Sequence, residues 1–246
     1  MNHLRSNIST LIIGLSVVIA AALFSGAYKY KFKSEETVTV TGLAEKNFTS
    51  DLIVWRGEFS RKALSLKDAY GTIKDDEIKI KNYLKENGIH TNEIVFSSIA
   101  INKEFEENFD SKGNRSGSTF TGYKLSEQVT VESKAIDTVE KVSREITRLI
   151  ENGIEINSMQ PAYFYTKLSE LKIDLLAKAS ADAKKRAETI ASNSGSSLSN
   201  IKRANMGVFQ ITGQNSTEDF SEGGTFNTSS KNKKASITIR IDYTLH

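Results

Sequence analysis

Cysteine is absent from the 246 residues of this chain, proline occurs once, at Pro161, and histidine three times. The missing thiols exclude disulfides, cysteine nucleophiles, iron–sulfur clusters and zinc sites built on thiolates. They leave the compartment open, because a folded part of about 200 residues buries roughly 70% of its unfolded-chain surface and needs no covalent staple. A single proline excludes a proline-rich stalk. His3 and His246 sit at or near the chain ends, so imidazole chemistry rests on His90 or is missing. A large charge of one sign is lacking too: 33 Lys+Arg stand against 30 Asp+Glu. Residues 1–33 hold Arg5, Lys29, Lys31 and Lys33 and no acid, so the remainder has one more acid than base. Nucleic-acid binding draws its affinity from phosphate neutralisation by a basic face, and no nucleic-acid partner is expected of so neutral a domain.

What is present begins with an apolar run. From Ile8 to Tyr28 no charged side chain occurs, and Ser9, Thr10, Ser16, Ser25 and the Tyr28 hydroxyl are the polar groups. About 20 helical residues at ~1.5 Å each match a hydrocarbon core of roughly 30 Å. An N-terminal transmembrane helix is therefore expected, with residues 1–33 as membrane anchor and basic flank. The alternative is a cleaved signal peptide, with Arg5 in its basic front, Leu11 to Phe24 as its apolar stretch and Ser25-Gly26-Ala27 as its small-residue cleavage site. Lys29, Lys31 and Lys33 alternate with Tyr30 and Phe32, which suits lipid headgroups. These lysines outnumber Arg5, and on that count the following domain would stay on the cytoplasmic side.

Beyond the flank two periodicities alternate. Val38, Val40 and Gly42, then Ile53, Trp55 and Phe59, read as two strands joined by a polar loop at Asn47 to Asp51. Leu66, Ala69, Tyr70, Ile73, Glu77, Ile80 and Leu84 recur at helical spacing up to Gly88. Ile94 to Phe105 and Phe120 to Val131 form a hairpin around the turn-rich stretch Asn108 to Ser118. Ser133 is placed to cap a second helix, whose stripe Ile136, Val139, Val142, Ile146, Leu149 and Ile150 stops at Gly153. Short extended pieces at Ile154–Ile156 and Ala162–Tyr165 precede a third helix from Leu168 to Asn193, with the small face Ala179, Ala183, Ala187 and Ala191. Ile201 to Ile211 and Ala235 to Leu245 make a last hairpin around a mobile polar loop, Gly213 to Lys234. The order implies an α+β fold with a largely antiparallel sheet and three main helices over residues 34–246.

Several of these residues together carry a resemblance. Val38-x-Val40-x-Gly42-x-Ala44 leading to Asp51, Gly88-Ile89, Gly122-Tyr123 and Gly153-Ile154 resemble the SIMPL domain family of bacterial envelope proteins. Ala179, Asp182-Ala183, Arg186-Ala187, Ala191, Gly195 and Leu198, followed by Ile201 and the alternating terminal strand, are similar to its helix and its Gly-x-x-Leu exit. Ser50 and Ser199 depart from the Pro and Gly common there. The likeness covers about residues 36 to 246. It implies a location in the bacterial inner membrane, single-pass, with the C-terminal domain in the periplasm, or a soluble periplasmic domain after signal cleavage. It also implies homo-oligomeric assembly and a stress-related role, and it brings no catalytic residue.

Candidate chemistry is sparse. Glu104, Glu106, Glu107, Asn108 and Asp110 offer hard oxygen ligands, but Thr119 stands where a cation loop needs its bidentate acid, and a solvated hairpin end is the simpler reading. His90 near Asp75, Asp76 or Glu93 has no recognisable nucleophile to serve. Gly113-x-x-x-Gly117 and Gly223-Gly224 lack the Lys-Ser/Thr and helix of a phosphate cradle. Trp55, Phe59, Tyr123, Tyr163, Phe164 and Tyr165 fit a core better than a groove. No catalytic, cofactor-binding or metal-ligating residue is assigned, and no cofactor is expected. The favoured reading is a non-enzymatic, membrane-anchored envelope domain that self-associates or binds an envelope partner. A hydrolase with an unrecognised carboxylate site and a small-ligand module are the alternatives.

Overall fold

The computed structural model describes the backbone of residues 2–31 and 36–246, and the side chains of residues 14–28 and 36–246. The first helix is α1 (Asn2–Lys31). Among the described residues no helix is long and apolar enough to cross a membrane, so the expected transmembrane helix is not found there. The described side chains of α1 begin at Gly14, and Ile8 to Ile13 of the apolar run lie outside them.

The chain divides into two compact units. The larger takes in residues 43–180 and 206–238. It holds β2 (Leu52–Ala63), α2 (Leu66–Glu86), β3 (Ile94–Phe96), β4 (Ala100–Phe109), β5 (Arg115–Ser133), α3 (Ile136–Glu145), β6 (Ile156–Ser158) and β7 (Ala162–Phe164). These strands make one antiparallel sheet in the order β3-β5-β2-β6, with β4 beside β5 and β7 beside β2. Alternation along β2 and β5 sends Ile53, Trp55 and Phe59 and then Leu125, Val129 and Val131 inward, where Ile73, Ile80 and Leu84 of α2 and Val139 and Val142 of α3 cover them. Period-2 and period-3.6 patterns thus meet on one apolar face, which makes the fold α+β.

Local chemistry explains where elements end. Gly88 and Gly153, in the left-handed region at φ 89° and 73°, close their helices as the sequence implies. The helix before Gly153 tightens into a 3₁₀ turn from Ile146. The Ser133 hydroxyl accepts the Ala135 amide at 3.0 Å just ahead of α3, although Ala135 itself occupies the cap position. The extended run Ile94–Phe105 breaks at Ser97, whose Oγ accepts the Gln128 amide at 3.1 Å and so takes over a ladder position.

The smaller unit takes in the described residues up to Gly42, with residues 181–205 and 239–246. β1 (Thr37–Thr49), α4 (Leu168–Asn193) and β10 (Asn232–Leu245) run from one unit into the other, and β10 lies between β1 and β8 (Leu198–Met206). The polar loop expected at Asn47 to Asp51 shrinks to Ser50-Asp51, because β1 continues to Thr49. Ala179, Ala183, Ala187 and Ala191 are all buried within the single chain. Ala183→Leu should therefore cost about 1–3 kcal/mol through overpacking, read as a lowered denaturant midpoint. A loss of particle mass with unchanged stability would place that face between copies instead.

The segment 213–234, expected as a mobile loop, carries hydrogen bonds among its own polar groups and those of its flanks. It follows β9 (Gln210–Gly213), which pairs with the start of β10. Gln210 Nε2 donates to the Ser221 carbonyl at 2.8 Å and its Oε1 accepts the Thr225 amide at 2.8 Å. The Glu218 carboxylate accepts the Gly213 amide at 2.9 Å and the Asn227 side-chain amide at 2.5 Å. Buried Lys233 donates to the Asn227 carbonyl at 2.5 Å. Buried donors and acceptors in a segment with little apolar material are thus satisfied.

Candidate functional site

The larger unit carries an exposed arm made by β4 and β5. Of the 19 residues of β5, Tyr123 to Ser133 pair with β2, which ends at Ala63. From Gly122 back to Arg115 β5 pairs only with β4 among the described residues, so the arm is a two-stranded ribbon there. Gly122, at φ 138°, marks the departure, because a Cβ on it would stand 2.7 Å from the Ala63 carbonyl oxygen. Two register shifts fall between Glu104 and Phe105 and between Asn108 and Phe109, and each leaves one extra residue on β5, Thr121 and Ser116. β4 itself stays regular.

The tip closes on Asp110. Its Oδ1 accepts the amides of Lys112 and Asn114, both at 2.8 Å, while Gly113 donates to the Asp110 carbonyl at 3.0 Å. Those amides hold the Asp110 carboxyl below the usual range. The turn spans only Asp110 to Asn114, shorter than the expected Asn108 to Ser118, because Ser116, Gly117 and Ser118 belong to β5.

Two acids of the arm pair with cations of the chain, and Asp110 with amides of its own turn. Glu104 pairs with Lys62 at 2.5 Å and Glu107 with Arg115 at 3.1 Å. No group of three or more His, Asp or Glu side chains that could hold a metal occurs among the described residues. Apolar groups remain open to solvent: Ile101, Phe105 and Phe109 of β4 are 53%, 56% and 61% exposed. Phe105 meets Phe120 edge-on at 5.6 Å, and Phe120 meets Tyr123 at 5.2 Å. Such a ladder stiffens the ribbon but leaves its outer edge bare.

The other candidate residues do not assemble into a reacting centre. His90 is exposed ahead of a 3₁₀ turn, where its amide donates to Glu93 at 3.0 Å. Glu93 also takes the Ser133 hydroxyl at 2.6 Å, and Asp76 is engaged by Arg61. Trp55 and Phe59 are core residues, with the indole N–H donating to Ser158 at 2.9 Å. Tyr163 donates to Glu140 at 2.9 Å, and burial pushes its phenol up to about 12. Tyr165 packs on Phe48 at 4.9 Å. Gly113 and Gly224 serve tight turns at positive φ. A groove of about 740 Å³ lies in the smaller unit between Thr39, Thr41, Lys185 and Thr189. Three of its polar groups are engaged, since Arg186 pairs with Asp182 at 2.8 Å and Thr39 donates to Asp242 at 2.7 Å.

Three buried ionic residues were not singled out as inward-facing by periodicity. Asp76, not Glu77, occupies the inner face of α2, at the spacing Ala69, Ile73, Asp76, Ile80 and Leu84. Glu127 lies between Leu125 and Val129 on the inner face of β5, with Oε2 lacking a hydrogen-bond partner and Lys74 3.7 Å from Oε1. Burial first, and Glu77 second, hold its carboxyl above the usual range. Lys233 sits in phase with Ala235, Ile237 and Ile239. The signal was present in each case, an ionic residue at an apolar phase, and was overridden by residue type.

Fold and surface together define an α+β domain that carries an exposed two-stranded β-ribbon. The chain belongs to the SIMPL family, proteins of unknown function (DUF541), whose model matches residues 38–243. No curated protein matches the chain significantly.

Proposed function

We propose that this chain is a tethered envelope domain that works by self-association rather than by catalysis. The observation that carries the reading is the β4 edge: ten residues, nine of them exposed, with Ile101, Phe105 and Phe109 uncovered on a ribbon that reaches past the end of β2. An exposed edge of unpaired amides and carbonyls templates pairing with another strand, and covering this one would also bury the aromatic groups. Tethering is supported by the charge-free stretch Ile8 to Tyr28, whose length suits a bilayer. The periplasmic side is the family-based reading, set against the bias of Lys29, Lys31 and Lys33.

A membrane-impermeant amine cross-linker added to spheroplasts tests location and association together. Multimers captured equally with and without permeabilisation are the expected result. Multimers appearing only after permeabilisation would put the domain on the cytoplasmic side, and monomers in both samples would refute self-association.

A further inference from the structure

We propose that two copies of this chain join through β4, antiparallel to each other about a two-fold axis at Phe105, so that the two ribbons become one four-stranded sheet in the order β5-β4-β4-β5. The inference rests on the self-association reading and specifies its partner and register. A two-stranded ribbon is marginal alone, and three or more strands are needed for independent stability. This ribbon carries its extra residues on β5, so the outer edge of β4 is regular enough to accept a full-length strand.

The register follows from the side chains. Ile101, Lys103, Phe105, Glu107 and Phe109 share one face of β4, and Asn102, Glu104, Glu106 and Asn108 the other. In an antiparallel pair centred on Phe105, Ile101 faces Phe109 of the second copy, Lys103 faces its Glu107, and Phe105 faces itself. On the opposite face Asn102 meets Asn108. The only mismatch is Glu104 against Glu106, and each Glu104 already carries the ammonium of its own Lys62. Lys103 makes no ion pair or hydrogen bond among the described residues, so its charge is available to a partner.

Neighbouring registers fail on the same criterion. Moving the axis to residue 103 sets Lys103 against Lys103, and moving it to residue 107 sets Glu107 against Glu107. Axes at 104 or 106 put Lys103 or Glu107 opposite phenylalanine and an acid opposite itself. Like charges directly opposed destabilise a strand pair, while opposite charges and apolar pairs support it. The charges that keep this edge from indiscriminate pairing therefore leave one alignment open, which is how a protected edge becomes a specific one.

The test uses the full chain in detergent micelles. Lys103→Glu and Glu107→Lys should each weaken dimerisation at least about tenfold, because each converts two attractive pairs per dimer into two repulsive ones. Mixing the two variants should restore association, now as a heterodimer. Arg115 loses its partner in Glu107→Lys, but that pair is exposed and contributes little to folding. The cysteine-free sequence allows a second readout. Opposed residues stand about 4.5–5.5 Å apart between Cα atoms, within the span of a disulfide. Chains bearing Asn102→Cys mixed with chains bearing Asn108→Cys should oxidise to a mixed disulfide, and neither alone should cross-link, since identical positions lie about 20 Å apart along the strands. Association that survives both charge reversals, with no mixed disulfide, would overturn this register and leave self-association standing. A parent chain that stays monomeric would overturn both.

Discussion

Arg61→Met should be among the most destabilising single substitutions in this chain, costing about 3–5 kcal/mol. Asp76 is 1% exposed on the inner face of α2, and the Arg61 guanidinium reaches it with Nε and Nη2, the second also donating to the Gly153 carbonyl at 2.6 Å. Removing the cation leaves a buried carboxylate with no partner of opposite charge, a far larger penalty than the pair itself is worth. Denaturant titrations of parent and variant at pH 7 should show the deficit as a lowered midpoint. The double variant Arg61→Met with Asp76→Leu should recover most of the loss, because neither charge is then buried. A single-variant loss below about 1 kcal/mol would mean that water reaches Asp76 and that the pair behaves as a surface one.

The pH profile of stability should carry a signature from Lys233. Its ammonium is 2% exposed, and burial pulls the amine down to about 8, against which Glu218 is the opposing influence. An unfolded lysine titrates near 10.4. Between about pH 8 and 10.4 the unfolded chain still holds a proton that the folded chain has released, so the contribution of Lys233 to stability rises with pH across that window. The full change is about 3 kcal/mol at ~1.4 kcal/mol per pKa unit. Comparison with Lys233→Met removes the influence of other titrating groups. The parent should gain on the variant from pH 8 to pH 10.4, and parallel profiles would show that the ammonium is solvated.

These residues mark the limit of what the sequence revealed. The stripes Ile136–Val139–Val142 and Ala179–Ala183–Ala187, the alternation of Ile237, Ile239 and Ile241, and the glycine stops are local patterns that packing reinforces. The antiparallel α+β class and the family followed from them. The arm was legible only in part. Arg115 to Thr119 is polar and glycine-containing, so nothing in its own composition distinguishes strand from turn; its strand state is imposed by β4 across the ladder. The segment 213–234 was legible as polar and largely exposed, but the burial of Asn227 and Lys233 and the hydrogen bonds they make are not encoded in any periodicity. The edge of β4 was visible as an extended stretch, and its lack of a second neighbour is a property of the sheet order.

The composition of the smaller unit has a consequence for the order of events in biosynthesis. It draws on residues before Gly42, on residues 181–205 and on residues 239–246, and the Leu245 amide closes on the Glu36 carbonyl at 2.9 Å. A chain emerging from its amino terminus can assemble Trp55, Leu125 and Val139 into a core early, whereas β1 waits until its neighbour β10, which follows β2 to β9 in sequence, has been made. Long-range pairing of this kind is slow, and domains otherwise tend to fold as they emerge. Loss of the stretch from Asn232 onward would therefore leave the first strand without this partner, and a quality-control protease would meet an open sheet edge.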